Sequence, residues 1–297
     1  MSFPWYLVIP FFCAGLYAAG SLCFKQAYAR GLGTMQAFTW QNLVGMLFFA
    51  PLFLTVKDGP SPAEYWKPLV TGTLIFCATC TTFVAILAGD VSLVTPLMGT
   101  KVVFTAFIAA GLARQHLPWA LWAAALLTSA GIFVLGWHDL RRSSANFKVV
   151  GWCLLSAVLF AGADVLIGHW AGPFGSGAFL ALVFCGIGMV SLVLARWQAH
   201  GAFQIPVEAR RWVCWGAGIF NLNTLAMGLC MAAFNDPTGV NVVYGTRGLW
   251  SIALVWFVGS QWFGNRERET SAGTVGLRLA GALLILLAIT VAVGPRT

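Results

Sequence analysis

Long apolar runs, separated by short polar breaks, fill the chain from end to end. In the first half, runs long enough to span a bilayer occupy Trp5–Phe24, Met35–Val56, Pro68–Gly89, Val91–Leu112 and Trp119–Trp137. In the second half they occupy Val149–Trp170, Gly175–Leu194, Trp212–Phe234, Thr238–Phe263 and Gly276–Val293. A membrane helix needs about 20 mostly apolar residues. The pattern therefore predicts an all-α polytopic membrane protein with ten transmembrane helices, segments 1 to 10. Segments 3 and 4 are parted only by Gly89-Asp90, and segments 8 and 9 only by Asn235-Asp236. Breaks this short predict tight antiparallel hairpins, with Asp90 and Asp236 capping the helices that follow.

The polar positions inside these runs are few, and two stand out. From Val91 to Leu112 there are twenty-two residues and a single charge, Lys101, about ten residues from either end. At about 1.5 Å per residue its ammonium lies about 15 Å into the hydrocarbon. A lysine there costs about 2.5–3.5 kcal/mol on insertion scales, so it is expected to face a partner or a wet cavity. The stretch VTPLMGTKVVFTA, Val94–Ala106, returns as VNVVYGTRGLWSI, Val240–Ile252, with Gly99, Thr100 and Lys101 becoming Gly245, Thr246 and Arg247.

Other stretches repeat as well. Segment 1 aligns with segment 6, setting Tyr17 against Phe160 and Ser21 against Asp164, and VGM at Val44–Met46 returns as IGM at Ile187–Met189. The expected organisation is a first repeat over 1–137, a linker over 138–148 and a second repeat over 149–297. Five spans per half is an odd number, so the second half is expected to lie inverted relative to the first. Inverted five-plus-five repeats hold their site near the midplane, between the halves.

Composition agrees with a membrane environment: 59% of residues are hydrophobic and 9% charged, against about 25% charged in soluble domains. The net charge of +8 reads as loop lysine and arginine held on one side of a membrane, with no nucleic-acid partner. The loops after odd-numbered segments, with Arg278, carry eleven of these cations and the opposite side four, which puts both termini on the outer face by the positive-inside rule. Cys77 and Cys80 form C-x-x-C inside an apolar run without a second pair, and the four His show no metal spacing. No phosphate-binding G-x-x-x-x-G-K-[ST] occurs. No cofactor or metal is expected.

The candidate chemistry follows from helical spacing. Asn241, Tyr244, Arg247 and Ser251 fall on one face of segment 9, and Thr95, Met98, Lys101 and Thr105 on the matching face of segment 4. Asp164 is the one intramembrane acid, and it cannot neutralise both Lys101 and Arg247. At least one cation is therefore open to an anionic group on a substrate, and a guanidinium suits a carboxylate or phosphate through its two-pronged fork. Substrate contact is expected at Lys101, Arg247, Tyr244, Asn241, Thr95 and Tyr17. Asp164 is expected to be a counter-ion, a proton-coupling group or a snorkelling side chain. The amides of segments 2 and 8 (Gln41, Asn42, Asn221, Asn223) are expected to bond between helices.

Ten spans, the internal duplication, the tight hairpins, the TPL of Thr95–Leu97 and the closing GALLILLAITVAVG of Gly281–Gly294 together resemble the drug/metabolite transporter superfamily, in proteins with two EamA repeats. The chain departs from the common EamA pattern after segment 4, where Ala113-Arg114-Gln115 stands in place of a Gly-Glu pair. Its GTK and GTR cations are similar to the lysines of nucleotide-sugar and sugar-phosphate translocators. The resemblance implies a secondary transporter of the plasma (inner) membrane that moves a small polar, anionic metabolite by alternating access. Its partners would be a small-molecule substrate and membrane lipids, and its state a monomer or homodimer. An exporter of neutral or cationic amino acids or drugs is the alternative within the superfamily. An enzyme acting on a lipid-linked phosphate is a third reading, for which an acid, His or Ser nucleophile beside the cations is missing.

Overall fold

A computed structural model describes residues 4–55, 61–88, 97–142, 147–197, 201, 203–262 and 272–293. Every long element among them is a helix. In the first half these are α1 (Val8–Tyr28), α2 (Thr34–Phe49), α3 (Trp66–Ala88), α4 (Lys101–Gly111) and α5 (Trp119–Arg142). In the second half they are α6 (Phe147–Trp170), α7 (Ser176–Trp197), α8 (Val207–Phe234), α9 (Pro237–Tyr244), α10 (Arg247–Trp262) and α11 (Ala272–Val293). Helix α5 runs into the expected linker as far as Arg142 and α6 starts at Phe147, so the region 138–148 is helical at both ends.

Seven helical stretches among the described residues are long and apolar enough to cross a membrane, not the ten expected. They are Trp5–Tyr28, Thr34–Thr55, Pro62–Ala85, Trp119–Trp137, Phe147–Trp170, Ser176–Trp197 and Val207–Phe234. Segments 4, 9 and 10 fall short for different reasons. Segment 9 is interrupted at Gly245-Thr246, leaving an eight-residue α9 and a sixteen-residue α10. Segment 4 turns at Gly99-Thr100 before the eleven-residue α4, and its beginning lies outside the described residues. Segment 10 qualifies only as a shorter apolar helix, Leu279–Val293. Hydropathy averages over a run and does not register a turn within it.

Packing pairs helices of one half with helices of the other. The most extensive contacts are α5 with α11, α1 with α8, α3 with α6 and α2 with α7, followed by α4 with α6, α2 with α8, α1 with α10 and α3 with α7. Exchanging segments 1–5 for segments 6–10 carries this set onto itself. The α5–α11 crossing is close because glycines meet there: a Cβ on Gly131 would stand 2.9 Å from Gly281 O, and one on Gly281 2.8 Å from Gly131 O. Small residues at such crossings let helix backbones approach, which is how helices associate where lipid competes for apolar surface.

The sharp turn into α9 is built as expected. Asn235 adopts φ 47°, the left-handed conformation that asparagine tolerates. Asp236 Oδ1 then accepts from Gly239 N–H at 2.9 Å and caps α9. Tyr6 donates to the second carboxylate oxygen, Asp236 Oδ2, at 2.6 Å, tying the start of the chain to the same corner. Asp90, the expected cap of segment 4, lies outside the described residues.

Candidate functional site

Each cation is the first residue after a helix break. Around α9–α10, Gly245 N–H reaches Asn241 O at 3.0 Å, and Thr246 N–H then reaches Val243 O at 3.1 Å in a tighter turn. The Thr246 hydroxyl donates to the same Val243 carbonyl at 2.8 Å. In segment 4, Thr100 makes both bonds to Leu97 O, from N–H at 3.1 Å and from Oγ1 at 2.7 Å. One turn on, Thr105 Oγ1 donates to Lys101 O at 2.9 Å, and Ser251 Oγ to Arg247 O at 2.8 Å. The hydroxyl bonds of the two motifs thus match. Gly245 is required at its break, because a Cβ there would stand 2.3 Å from Thr128 Cγ2 on α5. A helix N-terminus carries about half a positive elementary charge, which adds to that of the cation beside it.

The surroundings of the two cations differ. Lys101 Nζ stands 2.6 Å from Asp164 Oδ2, with both side chains almost fully buried. Asn241 Nδ2 donates to the same oxygen at 2.8 Å and to Pro237 O at 2.9 Å. The Lys101 ammonium also lies 5.6 Å from the centre of the Phe160 ring. Acid, amide and ring close around this charge, so the only intramembrane acid is occupied.

Arg247 is half-buried and makes no ion pair among the described residues. Its guanidinium carbon lies 5.3 Å from the ring centres of both Tyr17 and Tyr244. The two tyrosines meet edge to face at 6.0 Å, and Tyr17 meets Phe220 at 5.2 Å. Asn223 Nδ2 donates to the Tyr244 hydroxyl at 3.1 Å, while Asn223 Oδ1 is buried without a partner among the described residues. A guanidinium between aromatic faces keeps its planar edge available for a bidentate anion.

The expected polar stripe on segment 9 is therefore divided. Arg247 and Tyr244 stay together and are joined by Tyr17, whereas Asn241 turns to Asp164, and Ser251 bonds its own helix. The break re-aims the residues before it relative to those after it, so spacing along one continuous helix does not hold. On segment 4, Lys101 reaches Asp164, Thr105 bonds its own helix, Met98 packs beside Ala85, Val149 and Cys153, and Thr95 lies outside the described residues. Three of the four amides bond between helices as expected: Asn221 to the backbone Gln41 O at 3.1 Å, Asn42 to Ser191 Oγ at 2.9 Å and Asn223 to Tyr244. The side-chain oxygen of Gln41 is instead buried without a partner among the described residues. Phe160, Phe220 and Asn223 were not foreseen as part of these surroundings. The alignment of Tyr17 with Phe160 was the available signal for the first.

A polytopic helical membrane protein with two interrupted segments meeting between its halves is the architecture on view. Residues 4–137 match the EamA-like transporter family. The match spans 134 of the 297 residues, so the likeness to a transporter family rests on the first half of the chain. One solved structure, described only as "Crystal structure of protein", is similar in fold, with a TM-score of 0.77 and 15% identity over 98% of this chain and 97% of that one. No curated protein matches in sequence. The likeness to nucleotide-sugar and sugar-phosphate translocators is not confirmed by these matches.

Proposed function

We propose that the protein is a secondary transporter of the plasma membrane that moves a small, polar, anionic metabolite, with Arg247 as the anion-binding residue. The transport cycle is alternating access: two inverted five-segment repeats, 1–137 and 149–297, rock about a midplane site lined by Arg247, Tyr17 and Tyr244. Lys101 and Asp164 form a charge pair between the halves, with Asp164 as counter-ion. The observation that carries this reading is the contrast in pairing: Lys101 has the acid, and Arg247 has none among the described residues. The shared packing pattern and the matching breaks support the repeat organisation. Interrupted helices with their ends at midplane are a common construction of transporter sites.

Counterflow in proteoliposomes against a panel of anionic, zwitterionic and cationic metabolites tests the substrate class. Arg247→Ala should weaken the responding substrate by about 10- to 150-fold, the equivalent of about 1.5–3 kcal/mol for a charge-assisted contact. Arg247→Lys should restore part of that loss if two ligand oxygens are held, and most of it if only charge matters. Unchanged affinity in Arg247→Ala, or a cationic substrate, would sink the proposal.

A further inference from the structure

We infer that the substrate's anionic group is a carboxylate, and that it docks over Ser21 on α1, in the place beside Arg247 that Asp164 fills beside Lys101. The inference rests on Arg247 as the anion site and names the group and its seat.

The two cations meet equivalent surfaces. Lys101 lies above Phe160 of α6 at 5.6 Å and pairs at 2.6 Å with Asp164, four residues further along that helix. Arg247 lies above Tyr17 of α1 at 5.3 Å, and the residue four further along that helix is Ser21. Residues four apart share a helix face. The pairings that bring these surfaces together, α4 with α6 and α10 with α1, correspond when the halves are exchanged. One seat therefore holds a carboxylate supplied by the protein. The other holds a short neutral hydroxyl, turned back to Tyr17 O at 2.8 Å.

The group held beside Lys101 describes the ligand group that suits the place beside Arg247. Asp164 meets both Lys101 Nζ and Asn241 Nδ2 through its single oxygen Oδ2. A planar carboxylate fills that seat, and a guanidinium donates to both oxygens of the same group. A tetrahedral dianion is larger than the group the seat holds in the other half. Ser21 is then a specificity position: its short side chain leaves the carboxylate's place to the ligand.

Sodium acetate serves as the probe, in thermal unfolding of the purified full chain in detergent, against sulfate and chloride at equal ionic strength. Acetate should raise the melting temperature of the native protein saturably, and more than sulfate does. Ser21→Asp should raise the melting temperature without acetate and weaken the acetate response by at least about tenfold, whereas Ser21→Ala, which leaves the seat open, should keep it. An intact acetate response in Ser21→Asp, with Arg247→Ala abolishing it, would overturn the seat and leave Arg247 as an anion site. A response that survives Arg247→Ala would overturn both. Equal stabilisation by sulfate and acetate would overturn the carboxylate assignment. If Ser21→Asp does not fold, the mirror variant decides: Asp164→Ser opens the same seat beside Lys101, and acetate should restore its lost stability. Failure of that rescue would also overturn the inference.

Discussion

Lys101 and Arg247 stand at the same point of two matching helix breaks, with the same hydroxyl bonds before and after them. Yet Lys101 is enclosed by Asp164, Asn241 and Phe160, and Arg247 is flanked by two tyrosine rings with no acid among the described residues. The hydroxyl bonds at the breaks are thus common to the halves, and the difference lies in the side chains around them: Asp164 against Ser21, and Tyr244 beside Arg247 where the matching Met98 packs beside Ala85, Val149 and Cys153. A duplicated motif can serve two ends when a single counter-ion is present in one copy and absent from the other. Charge that is already neutralised holds elements together, and charge that is not remains available to a ligand.

The largest effect that bears on this contrast is expected from Lys101→Ala. It strands Asp164 in a buried setting, and removing one partner of a buried pair costs about 3–5 kcal/mol. Chemical unfolding in detergent should show that loss, and the Lys101→Ala/Asp164→Ala double variant should recover most of it. Arg247→Ala should lose far less stability, because it leaves no acid unpaired. Equal losses in the two single variants would erase the comparison.

A smaller effect separates the break from its cation. Gly245→Ala places a methyl group 2.3 Å from Thr128 Cγ2, an overpacking expected to cost about 1–3 kcal/mol. Thr128→Ser removes the opposing methyl and should relieve it, as read by melting temperature. No relief would mean that the Val242 carbonyl, 2.9 Å from the same Cβ, sets the limit instead.

The smallest effect probes what the halves share. Thr100→Val and Thr246→Val each remove a hydroxyl bond to the carbonyl three residues back, a change worth about 0.5–1.5 kcal/mol. The two losses should be similar by the same unfolding measurement. Unequal values would show that the breaks are alike in geometry but not in energy.

Much of this was readable from the residues. The apolar runs located the helices, the Asn235-Asp236 corner announced its turn and cap, and counting acids against cations foretold that one cation would be left over. Which cation it would be was not readable, because Asp164 reaches Lys101 through the packing of α4 on α6. The breaks were also hidden: Val240–Ile252 reads as one apolar run, and a glycine in it is equally compatible with packing. The recurring Gly-Thr ahead of each cation was a signal, though its meaning depends on Thr hydroxyls that replace lost backbone bonds. Asn241, expected on the same face as Arg247, bonds Asp164 instead for the same reason.

The eight residues of α9 are all buried, and they touch α1, α4, α5, α6, α8 and α11. At about 1.5 Å per residue the helix is only about 12 Å long, far short of the roughly 30 Å of hydrocarbon. In lipid alone it would expose unbonded backbone groups at both ends, each costing several kcal/mol. During synthesis α9 therefore has no stable place of its own in the bilayer, whatever its hydropathy. It has to wait for a berth that the earlier helices provide, so completion of the last fifth of the protein is a docking event. A second half made alone should lack that berth, and co-expression with residues 1–142 should supply it.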